Sequence, residues 1–404
     1  MPAETTSLAT RAVRAGIGSD TQHGAVVPPI YLTSTFGFDG LGGKRQYDYT
    51  RSGNPGRDQL AEVLADLEGG VGAVVTGTGM SAVTLVVQLV QPGELILAAH
   101  DCYGGTHRLL THLARRGHLR VEFIDFTCPS AASLIVHKRP RLVWIETPSN
   151  PLLRITDLRT VSVASRAVGA LVVADNTFLS PVFQQPISLG ADLVVHSTTK
   201  YLNGHSDIVG GAVVAARADL LDELRWWANC LGLTGAPFDA YLTLRGIRTL
   251  HARMRQHEEN ATRVVQFLLE SAVIERVHYP GLAHHPGHEV AARQQQGFGG
   301  MVSCELRGGL PAVRAFVDGL ESFSLAESLG GVESLVAHPA TMTHASMDPA
   351  ARARAGITDG LVRLSVGIES AADLVADLDR ALDRASIATL ERTAAWAVAE
   401  QACD

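Results

Sequence analysis

The chain has 404 residues, a formal net charge of -7, 46% hydrophobic residues and 19% charged residues. These values are typical of a folded globular protein and argue against a disordered chain. An acidic chain without a Lys/Arg-rich run lacks the electrostatic footprint of a protein that binds nucleic acid or an anionic lipid surface. We therefore predict small-molecule partners, no nucleic acid and no membrane, and the length favours two domains.

The cysteines and the N-terminus favour a cytoplasmic protein. Five cysteines without a CxxC pair argue against a disulfide framework and against a zinc site. The first fifteen residues carry Glu4, Arg11 and Arg14 and have no apolar core, so we predict no signal peptide. The uncharged run 69–93 contains six glycines and Pro92, which favour a strand, a turn and a buried helix over a membrane span.

Residues 1–55 lack a regular hydrophobic period. Their Gly, Pro, Thr and Tyr content predicts an arm that lies over another surface. Within this arm, Tyr49 and Arg51 stand two residues apart in an extended segment, ahead of a helix that begins near Pro55. A tyrosine hydroxyl and a guanidinium fork can together hold a phosphate group, although a solvated arm would have the same pattern.

Residues 56–245 alternate short β-branched runs with longer amphipathic stretches. This alternation predicts an α/β domain with a mostly parallel sheet that is covered on both faces. In such a sheet, functional side chains collect at the carboxyl ends of the strands. The predicted strands, in chain order, are residues 72–76, 95–99, 121–125, 141–146, 170–175, 191–196 and 210–216.

The turn "GTGMS", residues 77–81, follows the first predicted strand and opens a predicted helix. Backbone N–H groups around Gly79 and Met80 would point outward there, and the helix dipole favours an anion. The spacing is neither a Walker loop nor GxGxxG, so it does not indicate a nucleotide, and a purely structural turn is the alternative.

Polar side chains follow two later strands. Asp175 ends the strand "ALVVAD", and Ser197, Thr199 and Lys200 come directly after the strand "ADLVVH". A lysine is almost wholly protonated at neutral pH, and a Schiff base with an aldehyde cofactor removes this obstacle. Pyridoxal 5'-phosphate would use the lysine, a carboxylate opposite its ring nitrogen, and the hydroxyls and glycine turn for its phosphate. In isolation, the aspartate could cap a turn and the hydroxyls could form a surface cluster.

A tyrosine in "HDCYGGTHR" offers a flat surface for such a ring. Tyr103 follows the predicted strand 95–99, so its phenol ring could stack on a planar cofactor. A half-buried core tyrosine is the alternative reading.

Residues 246–404 change in pattern and predict a smaller α+β domain, with a long charged helix, separate strands and a terminal helix. Arg363 interrupts the apolar strand "LVRLSVGIE", where a buried arginine would pair with an anion such as a substrate carboxylate. Glu327 and Ser328 stand beside a glycine pair, where helix capping is the alternative role.

Closely spaced histidines in "HHPGHE", residues 284–289, suggest a metal site. Pro286 and Gly287 interrupt the helix that would align the imidazole rings. We therefore predict no metal site.

Together these motifs resemble the cystathionine, or trans-sulfuration, family of pyridoxal-phosphate enzymes of Cys/Met metabolism. The similarity runs from about Gly24 to about Glu369. The segments that carry it are, in chain order, "PPIYLTSTF", "YDYTRSGNP", "TGTGMSA", "DCYGGT", "ETPSNPLL", "VVADNTFLSP", "HSTTKYLNGHSD", "LRGIRTL", "GFGGMVS", "LAESLGGVESLVAHPATMTH" and "VRLSVGIE". Within the family, "HDCYGGT", "WWAN" and "LAESLGGVES" are most similar to the enzymes that catalyse gamma-replacement.

The resemblance implies a PLP-dependent transferase of fold type I, which is aspartate-aminotransferase-like. It also implies a homotetramer with active sites built between two subunits. Residues 1–55 would form an N-terminal arm that contacts the neighbouring subunit, residues 56–245 the PLP-binding large domain, and residues 246–404 the C-terminal small domain.

Roles for individual residues follow from the same resemblance. Lys200 would carry the Schiff base and move protons, Asp175 would pair with the ring nitrogen, and Tyr103 would stack on the ring. The phosphate would be held by Gly79, Met80, Ser197 and Thr199, together with Tyr49 and Arg51 contributed to a neighbouring subunit. The substrate would be bound by Arg108, Asn150, Glu327, Ser328 and Arg363.

Several positions depart from the common patterns of the family. Ser52 stands where some members have a second arginine for the distal carboxylate of a succinyl group, so O-succinyl and O-acetyl esters both stay open. His107 replaces a frequent tyrosine or phenylalanine, and Gly56 replaces a frequent threonine. Gly105 occupies the place of the cysteine that is typical of methionine gamma-lyases, which argues against that activity.

The implied reaction is a gamma-replacement in methionine biosynthesis. O-succinyl- or O-acetyl-L-homoserine and L-cysteine would give L-cystathionine and the free acid. Glu327 matches the acidic residue of gamma-synthases and gamma-lyases, whereas beta-lyases tend to carry tyrosine there. The alternatives on this scaffold are cystathionine gamma-lyase, O-acetylhomoserine sulfhydrylase and methionine gamma-lyase. A catalytically silent binding protein is the alternative of a different class.

Overall fold

The computed structural model describes residues 6–345, 347 and 349–401. Its contacts divide the chain into two compact units, each with its own hydrophobic core. The first unit takes in residues 1–147, 156–252 and 294–296, and the second takes in residues 148–155, 253–293 and 297–404. The domain boundaries drawn from the sequence stay predictions.

Helix ends follow local sequence signals, as α2 (Pro55–Glu68) shows. The side chain of Asn54 accepts a hydrogen bond from the Gly56 N–H, and Pro55 occupies the first helical position, where a missing N–H costs nothing. Gly69 ends the helix at a φ of 77°, which is a left-handed conformation that favours glycine. The sequence prediction of a helix beginning near Pro55 is therefore confirmed.

The remaining described elements are given by their bounds. The other helices are α1 (Leu8–Val13), α3 (Gly79–Val87), α4 (Gly104–Arg115), α5 (Ala131–Lys138), α6 (Leu158–Arg166), α7 (Ser180–Phe183), α8 (Ala218–Leu231), α9 (Pro237–Ile247), α10 (Leu250–Glu270), α11 (His288–Gln294), α12 (Leu310–Val317), α13 (Pro349–Arg354) and α14 (Ala371–Gln401), with a short 3-10 helix at Pro186–Leu189. The strands are β1 (Gly72–Thr76), β2 (Leu95–Ala99), β3 (Arg120–Ile124), β4 (Leu142–Glu146), β5 (Leu171–Asp175), β6 (Leu193–His196), β7 (Gly211–Ala215), β8 (Ile274–His278), β9 (Met301–Leu306), β10 (Phe323–Leu325), β11 (Ser334–Ala337) and β12 (Leu361–Ser365).

The first unit is built on a mostly parallel sheet, as the sequence predicts. Its strands lie in the order β1-β7-β6-β5-β4-β2-β3. Strand β7 is antiparallel to both of its neighbours, and the other pairs are parallel. The central strands are buried along their length because helices cover both faces, which explains their continuous Val, Leu and Ala runs.

Three neighbouring strands of this sheet end in polar residues. Glu146 ends β4, Asp175 ends β5 and His196 ends β6. Glu146 is paired in register with Asp175, and Asp175 is paired with Val195 on β6. The carboxyl ends of parallel strands meet at one edge of a sheet, so this edge collects the chemically useful side chains of the first unit.

The second unit contains a smaller mixed sheet. Its strands lie in the order β10-β11-β12-β9-β8, with β10 and β11 parallel and the other pairs antiparallel. Residues of this sheet pack with residues of α12 and α14 in the unit's own core, in which Phe316, Val362 and Leu374 are buried. The prediction of a mostly parallel α/β fold joined to a smaller α+β part is confirmed.

The long uncharged run 69–93 forms β1, a turn and α3 rather than one continuous helix. Among the described residues, no helix is both long enough and apolar enough to cross a membrane.

Candidate active site

The start of α3 lies against the segment that follows β6. A Cβ atom added at Gly79 would lie 2.9 Å from the Cβ of Ser197, so only glycine permits this approach. The Thr78 side chain caps the helix by accepting the Ser81 N–H at 2.8 Å. The first N–H groups of a helix have no partner within the helix, so this turn presents donors beside the Ser197 hydroxyl, as an anion requires.

Ser197 and Thr199 differ in how their hydroxyls are used. The Ser197 N–H donates to Oγ1 of Thr177 at 3.0 Å, which fixes the backbone of Ser197. The Thr199 hydroxyl donates to the carbonyl oxygen of Gly210 at 3.2 Å and accepts the Gly210 N–H at 3.0 Å. To donate to a phosphate, Thr199 would have to turn its proton away from Gly210.

Lys200 lies in the turn that follows β6 and is partly buried. Its N–H donates to the carbonyl oxygen of Ser197 at 3.2 Å, and its own carbonyl oxygen accepts the Gly204 N–H at 2.8 Å. The backbone at Lys200 is therefore held on both sides, and the lysine stands three residues from the proposed phosphate ligand Ser197.

Asp175 is a partly buried carboxylate at the end of β5. Burial raises the pKa of its carboxyl, while hydrogen bonds from Thr177 and the electrostatic influence of His196 lower that pKa. One of these bonds is the Thr177 N–H donating to Oδ1 at 3.0 Å. Thr177 therefore links the carboxyl of Asp175 to the backbone of Ser197.

Tyr103 stands at the start of α4, with 44% of its surface exposed. Its N–H donates to Oε2 of Glu146 at 2.7 Å, which ties it to the end of β4. A Cβ atom added at Gly105 would lie 2.6 Å from Cε1 of the Tyr103 ring and 2.8 Å from the sulfur of Met80. A cysteine at this position would therefore displace the ring or the sulfur, so Gly105 sets the position of Tyr103.

Tyr49 and Arg51 form another group, on the exposed N-terminal segment. The Arg51 guanidinium lies 5.6 Å from the centre of the Tyr49 ring, within reach of a cation–π contact. Among the described hydrogen bonds, the side chain of Arg51 donates to Asn229 at 3.1 Å rather than to Ser197 or the α3 turn. Tyr49 and Arg51 are therefore exposed on the surface of the first unit, and their described contacts do not include the other predicted phosphate ligands.

The neighbouring Ser52 offers a hydroxyl bound to a carboxylate, where some family members have a cation. Its Oγ lies 2.8 Å from Oδ1 of Asp48. Hydrogen bonds from Lys44 and then from Ser52 lower the pKa of Asp48 to about 2. This corner therefore carries a firmly ionised carboxylate next to Lys44, rather than an arginine that is free to bind an anion.

Arg363 is a buried cation of the second unit, with 2% of its surface exposed. It lies on β12, in the interior of the smaller sheet. Its Nη1 donates to Oδ1 of Asn150 at 3.0 Å, and its Nη2 donates to the carbonyl oxygen of Ser328 at 2.8 Å. Both of these acceptors are neutral oxygens, and they fix the direction of the guanidinium fork, as binding of a carboxylate requires.

The remaining predicted substrate residues, Ser328, Glu327 and Arg108, are less buried than Arg363. Ser328 has a φ of 93°, an uncommon conformation for serine that points to a local constraint of the kind found at functional sites. Glu327, beside it, is exposed. Arg108 lies on α4 and is exposed, and His107 before it stacks on Phe123, with ring centres 4.1 Å apart.

Two residues of this region are absent from the sequence-based set. Glu146 holds the N–H of Tyr103, and Thr177 holds both Asp175 and Ser197. A signal was present for Glu146, because it ends the predicted strand 141–146 next to the strand that Asp175 ends. Thr177 gives no such signal, since its hydrogen bond to Ser197 joins residues twenty positions apart.

The first-unit residues fit pyridoxal phosphate. The glycines at 79 and 105 let the α3 turn lie against Ser197 and let the Tyr103 ring and the Met80 sulfur lie against the start of α4. Asp175 provides an acceptor for a protonated ring nitrogen, and the α3 turn provides donors for a phosphate. Among the described residues, no group of three or more His, Cys, Asp or Glu side chains is arranged to hold a metal ion.

Comparison with known proteins gives a consistent result. A sequence profile described as Cys/Met metabolism PLP-dependent enzyme matches residues 9–383. The chain is 53% identical to a cystathionine gamma-synthase of Escherichia coli, over 93% of this chain and 97% of that protein, and 45% identical to a cystathionine beta-lyase of Lactococcus lactis, over 94% and 100%. A crystal structure of cystathionine gamma synthase from Xanthomonas oryzae pv. oryzae in complex with cystathionine superposes with a TM-score of 0.94 at 62% identity, covering 95% of this chain and 99% of that one. The chain belongs to the Cys/Met metabolism PLP-dependent enzyme family, and its cofactor is pyridoxal 5'-phosphate.

Proposed function

We propose that the chain catalyses gamma-replacement, in which an activated L-homoserine ester and L-cysteine give L-cystathionine and the free acid. The Cγ–O bond of the ester breaks, a Cγ–S bond forms, and the thiol proton balances the released acid. The observation that carries this proposal is the similarity to cystathionine gamma-synthases along nearly their whole length. The substrates are therefore amino acids, and the product would serve methionine biosynthesis.

Each half of the reaction is assigned to particular residues. Pyridoxal phosphate, when bound, supplies an electron sink for the carbanion at the substrate's Cα. Lys200 would hold the cofactor, and its freed Nζ would remove the Cα proton, pass it on to the cofactor and then remove a Cβ proton. Asp175 would hold a proton at the ring nitrogen, and Tyr103 would keep the ring flat against its face.

The substrate's carboxylate is assigned to the second unit. Arg363 can offer two parallel N–H donors, and Asn150 and the Ser328 carbonyl hold its fork in place. Such a grip fixes the orientation of the Cα–H bond, because it leaves the substrate one way to lie.

The preference between the O-succinyl and the O-acetyl ester depends on the residues around Ser52. A distal succinyl carboxylate needs a cation, whereas the Ser52 hydroxyl is bonded to ionised Asp48. Arg108, exposed on α4, is the remaining assigned cation for that carboxylate. We therefore propose that Arg108 decides how strongly the O-succinyl ester is preferred over the O-acetyl ester.

A cystathionine lyase is the second candidate, and the similarity to a beta-lyase favours it. The exposed acidic Glu327 argues against the beta-lyase, because such enzymes tend to carry tyrosine at this position. A gamma-lyase shares the acidic residue, so only products can separate it from the gamma-synthase.

We further propose a cytoplasmic homotetramer. Val26, Leu32 and Phe38 on the N-terminal segment are exposed apolar residues, as expected of an arm that packs on a neighbouring subunit. The outward-facing Tyr49 and Arg51 would then reach the phosphate of a neighbouring active site. The described cysteines are all free, which suits a reducing compartment. Sedimentation analysis would show dimers or monomers if this assembly is wrong.

One product-resolved assay tests the activity. The enzyme is incubated with each homoserine ester plus cysteine, with each ester plus sulfide, and with cystathionine alone. Cystathionine formed from an ester and cysteine supports the proposal. Breakdown of cystathionine to cysteine or homocysteine as the main reaction would replace it with a gamma- or beta-lyase respectively, and homocysteine from sulfide would indicate a sulfhydrylase.

The lysine assignment has its own test. Lys200→Ala should lose the visible absorbance of the bound cofactor and its sensitivity to borohydride, and turnover should fall to background. A matched control is Lys138→Ala, which removes an exposed lysine that pairs with Glu122. Full turnover in Lys200→Ala would contradict the assignment.

A further inference from the structure

Two buried serines share one face of the smaller sheet with Arg363. Arg363 and Ser365 stand two residues apart on β12, so their side chains point to the same face. Ser303 on β9 is the register partner of Arg363 and points to that face as well. Ser303 and Ser365 are 0% and 1% exposed, respectively. Neither serine has a role in the reaction assigned above.

The opposite face of the same two strands is apolar. The residues that alternate with the serines and the arginine lie in the hydrophobic core of the second unit, namely Val302, Cys304, Val362 and Leu364. Buried strand positions are usually filled by apolar side chains, so two serines beside a buried arginine need a separate explanation. The hydrogen bonds of the two serines supply that explanation.

Ser303 holds the segment that carries Asn150. Its Oγ donates to the carbonyl oxygen of Pro151 at 2.7 Å. Pro151 directly follows Asn150, whose Oδ1 accepts the hydrogen bond from Nη1 of Arg363 at 3.0 Å. The Ser303 hydroxyl therefore fixes the backbone one residue away from an acceptor of the guanidinium.

Ser365 holds the segment that carries Ser328. The Gly330 N–H donates to Oγ of Ser365 at 2.8 Å, two residues after the Ser328 carbonyl that accepts from Nη2 of Arg363. Ser328 has a φ of 93°, a conformation that persists only where the surrounding structure constrains it. The bond between Gly330 and Ser365 is one such constraint.

The direction of the Arg363 fork depends on these two segments. Each of its two neutral acceptors lies one or two residues from a backbone group that a serine holds. Arg363 and both serines belong to neighbouring strands of one sheet, so the guanidinium and its acceptors share one support. Small misplacements of a group that positions a substrate can cost a large part of its effect.

We propose that Ser303 and Ser365 are positioning residues that orient the Arg363 fork towards the carboxylate of the amino-acid substrate. They act through the Pro151 and Gly330 backbones rather than by contact with the substrate. This inference rests on the proposed assignment of the substrate's carboxylate to Arg363. It does not depend on which ester is used or on which bond of the substrate is broken.

The test compares two probes on the holoenzyme. One is L-norleucine, and the other is L-norleucinamide, in which a neutral amide replaces the carboxylate. Neither probe carries a leaving group, and binding is followed by the change in the visible absorbance of the enzyme. The ratio of the two dissociation constants measures the preference for the carboxylate. It is determined for the wild type, Ser303→Ala, Ser365→Ala and Arg363→Met, and for each serine variant combined with Arg363→Met.

We expect each serine variant to lose about tenfold of this preference, as weakening of a charge-assisted hydrogen bond would give. Arg363→Met should lose the preference, and a serine substitution added to it should change the ratio no further, because the fork is gone. Thr243→Val is the matched control. It removes a buried hydroxyl that donates to the carbonyl oxygen of Asp239 at 2.8 Å in the first unit, and it should keep the full preference.

The outcomes separate this inference from the assignment on which it rests. Full preference in a serine variant, with the preference lost in Arg363→Met, would overturn the proposal for that serine and leave it a structural role. A preference retained in Arg363→Met would overturn the carboxylate assignment and this inference with it. The product assay decides gamma-replacement independently. If Ser303→Ala does not fold, Ser303→Cys, which keeps a side chain of similar shape with a weak donor, takes its place.

Discussion

Asp175 in the first unit is a partly buried charge and Arg363 in the second is a buried one, and the protein holds the two in opposite ways. Around Asp175, the described hydrogen bonds come from the Thr177 N–H and the Thr177 hydroxyl, and the electrostatic influence of His196 also favours the carboxylate. Around Arg363, two contacts come from neutral oxygens, those of Asn150 and Ser328.

The difference follows from what burial does to each group. A buried carboxyl can escape its charge by taking up a proton, so it stays ionised only if neighbours favour the anion. A guanidinium does not lose its proton in proteins, so neutral oxygens that fix its direction are enough. The two charges should therefore fail differently when they are altered. Asp175 should be sensitive to its neighbours' charge and to pH, and Arg363 to geometry.

Replacing Asp175 should have the largest effect. Asp175→Asn keeps the shape and cannot hold a proton at the ring nitrogen as an anion does, so we expect kcat to fall by roughly 1000-fold or more. Steady-state kinetics on enzyme saturated with cofactor would measure this loss. Asp192→Asn, which alters another aspartate of the first unit, is the control. A kcat within a few-fold of the wild type would remove Asp175 from its proposed role.

Replacing Arg363 should act on substrate binding. Arg363→Met removes two charge-assisted hydrogen bonds to a carboxylate, so we expect KM for the amino-acid substrate to rise about 100-fold, with a smaller change in kcat. Arg363→Lys keeps the charge and loses the fork, so it tests geometry alone. A lysine variant with normal KM would show that charge, and not the neutral scaffold of Asn150 and Ser328, is what matters.

The comparison of Asp175 with Arg363 also shows which features can be predicted from the sequence. The large sheet was predictable because its buried strands are continuous apolar runs, and Asp175 stood out because it ends such a run. The partners were not predictable in the same way. Arg363 and Asn150 are 213 positions apart, and Tyr103 and Glu146 are 43 apart. Sequence patterns report local periodicity, whereas these contacts depend on how the chain returns to the same place.

The family resemblance assigned roles to several of these residues, but it did not identify the residues that hold them in place. It assigned roles to Asp175 and Arg363 by position, without the hydrogen bonds that hold them. Thr177 is the clearest case, because a threonine two residues after a strand end has no distinctive pattern. Its importance lies in one hydroxyl that connects Asp175 with the Ser197 backbone.

The Thr177 hydroxyl should determine how activity falls at the acid end of the pH profile. Thr177→Val removes a hydrogen bond that lowers the pKa of Asp175, so the carboxyl should take up a proton at a higher pH than in the wild type. Because the ionised form is the active one, activity should be lost earlier as the pH falls, by about tenfold at the acid end of the profile. At alkaline pH the loss should be smaller. Thr177→Ser keeps the hydroxyl and should restore the profile, whereas a loss that is equal at every pH would indicate mispositioning alone.

The smallest effect should be that of Asp175→Asn on the stability of the apoenzyme. This substitution should stabilise the fold although it lowers activity. Because the folded-state pKa of Asp175 is raised above the ordinary value of 3.8, the folded protein binds this proton more tightly than the unfolded chain. The contribution of Asp175 to stability therefore falls as the pH rises from the ordinary value through the folded-state pKa, and it is unfavourable above that. We expect Asp175→Asn to make the apoenzyme about 1 kcal/mol more stable at neutral pH, the usual size of a single-site effect, and to lose this advantage in acid.

Urea unfolding of the apoenzyme at neutral and acid pH would measure the difference. The surface residue Asp66, which pairs with Arg11, serves as the control, because Asp66→Asn removes an exposed ion pair and should cost between 0 and about 1 kcal/mol. A destabilised Asp175→Asn apoenzyme at neutral pH would mean that the neighbours of Asp175 more than offset its burial before the cofactor binds. The contrast with Arg363 would then disappear, because both charges would be fully supported by the protein alone.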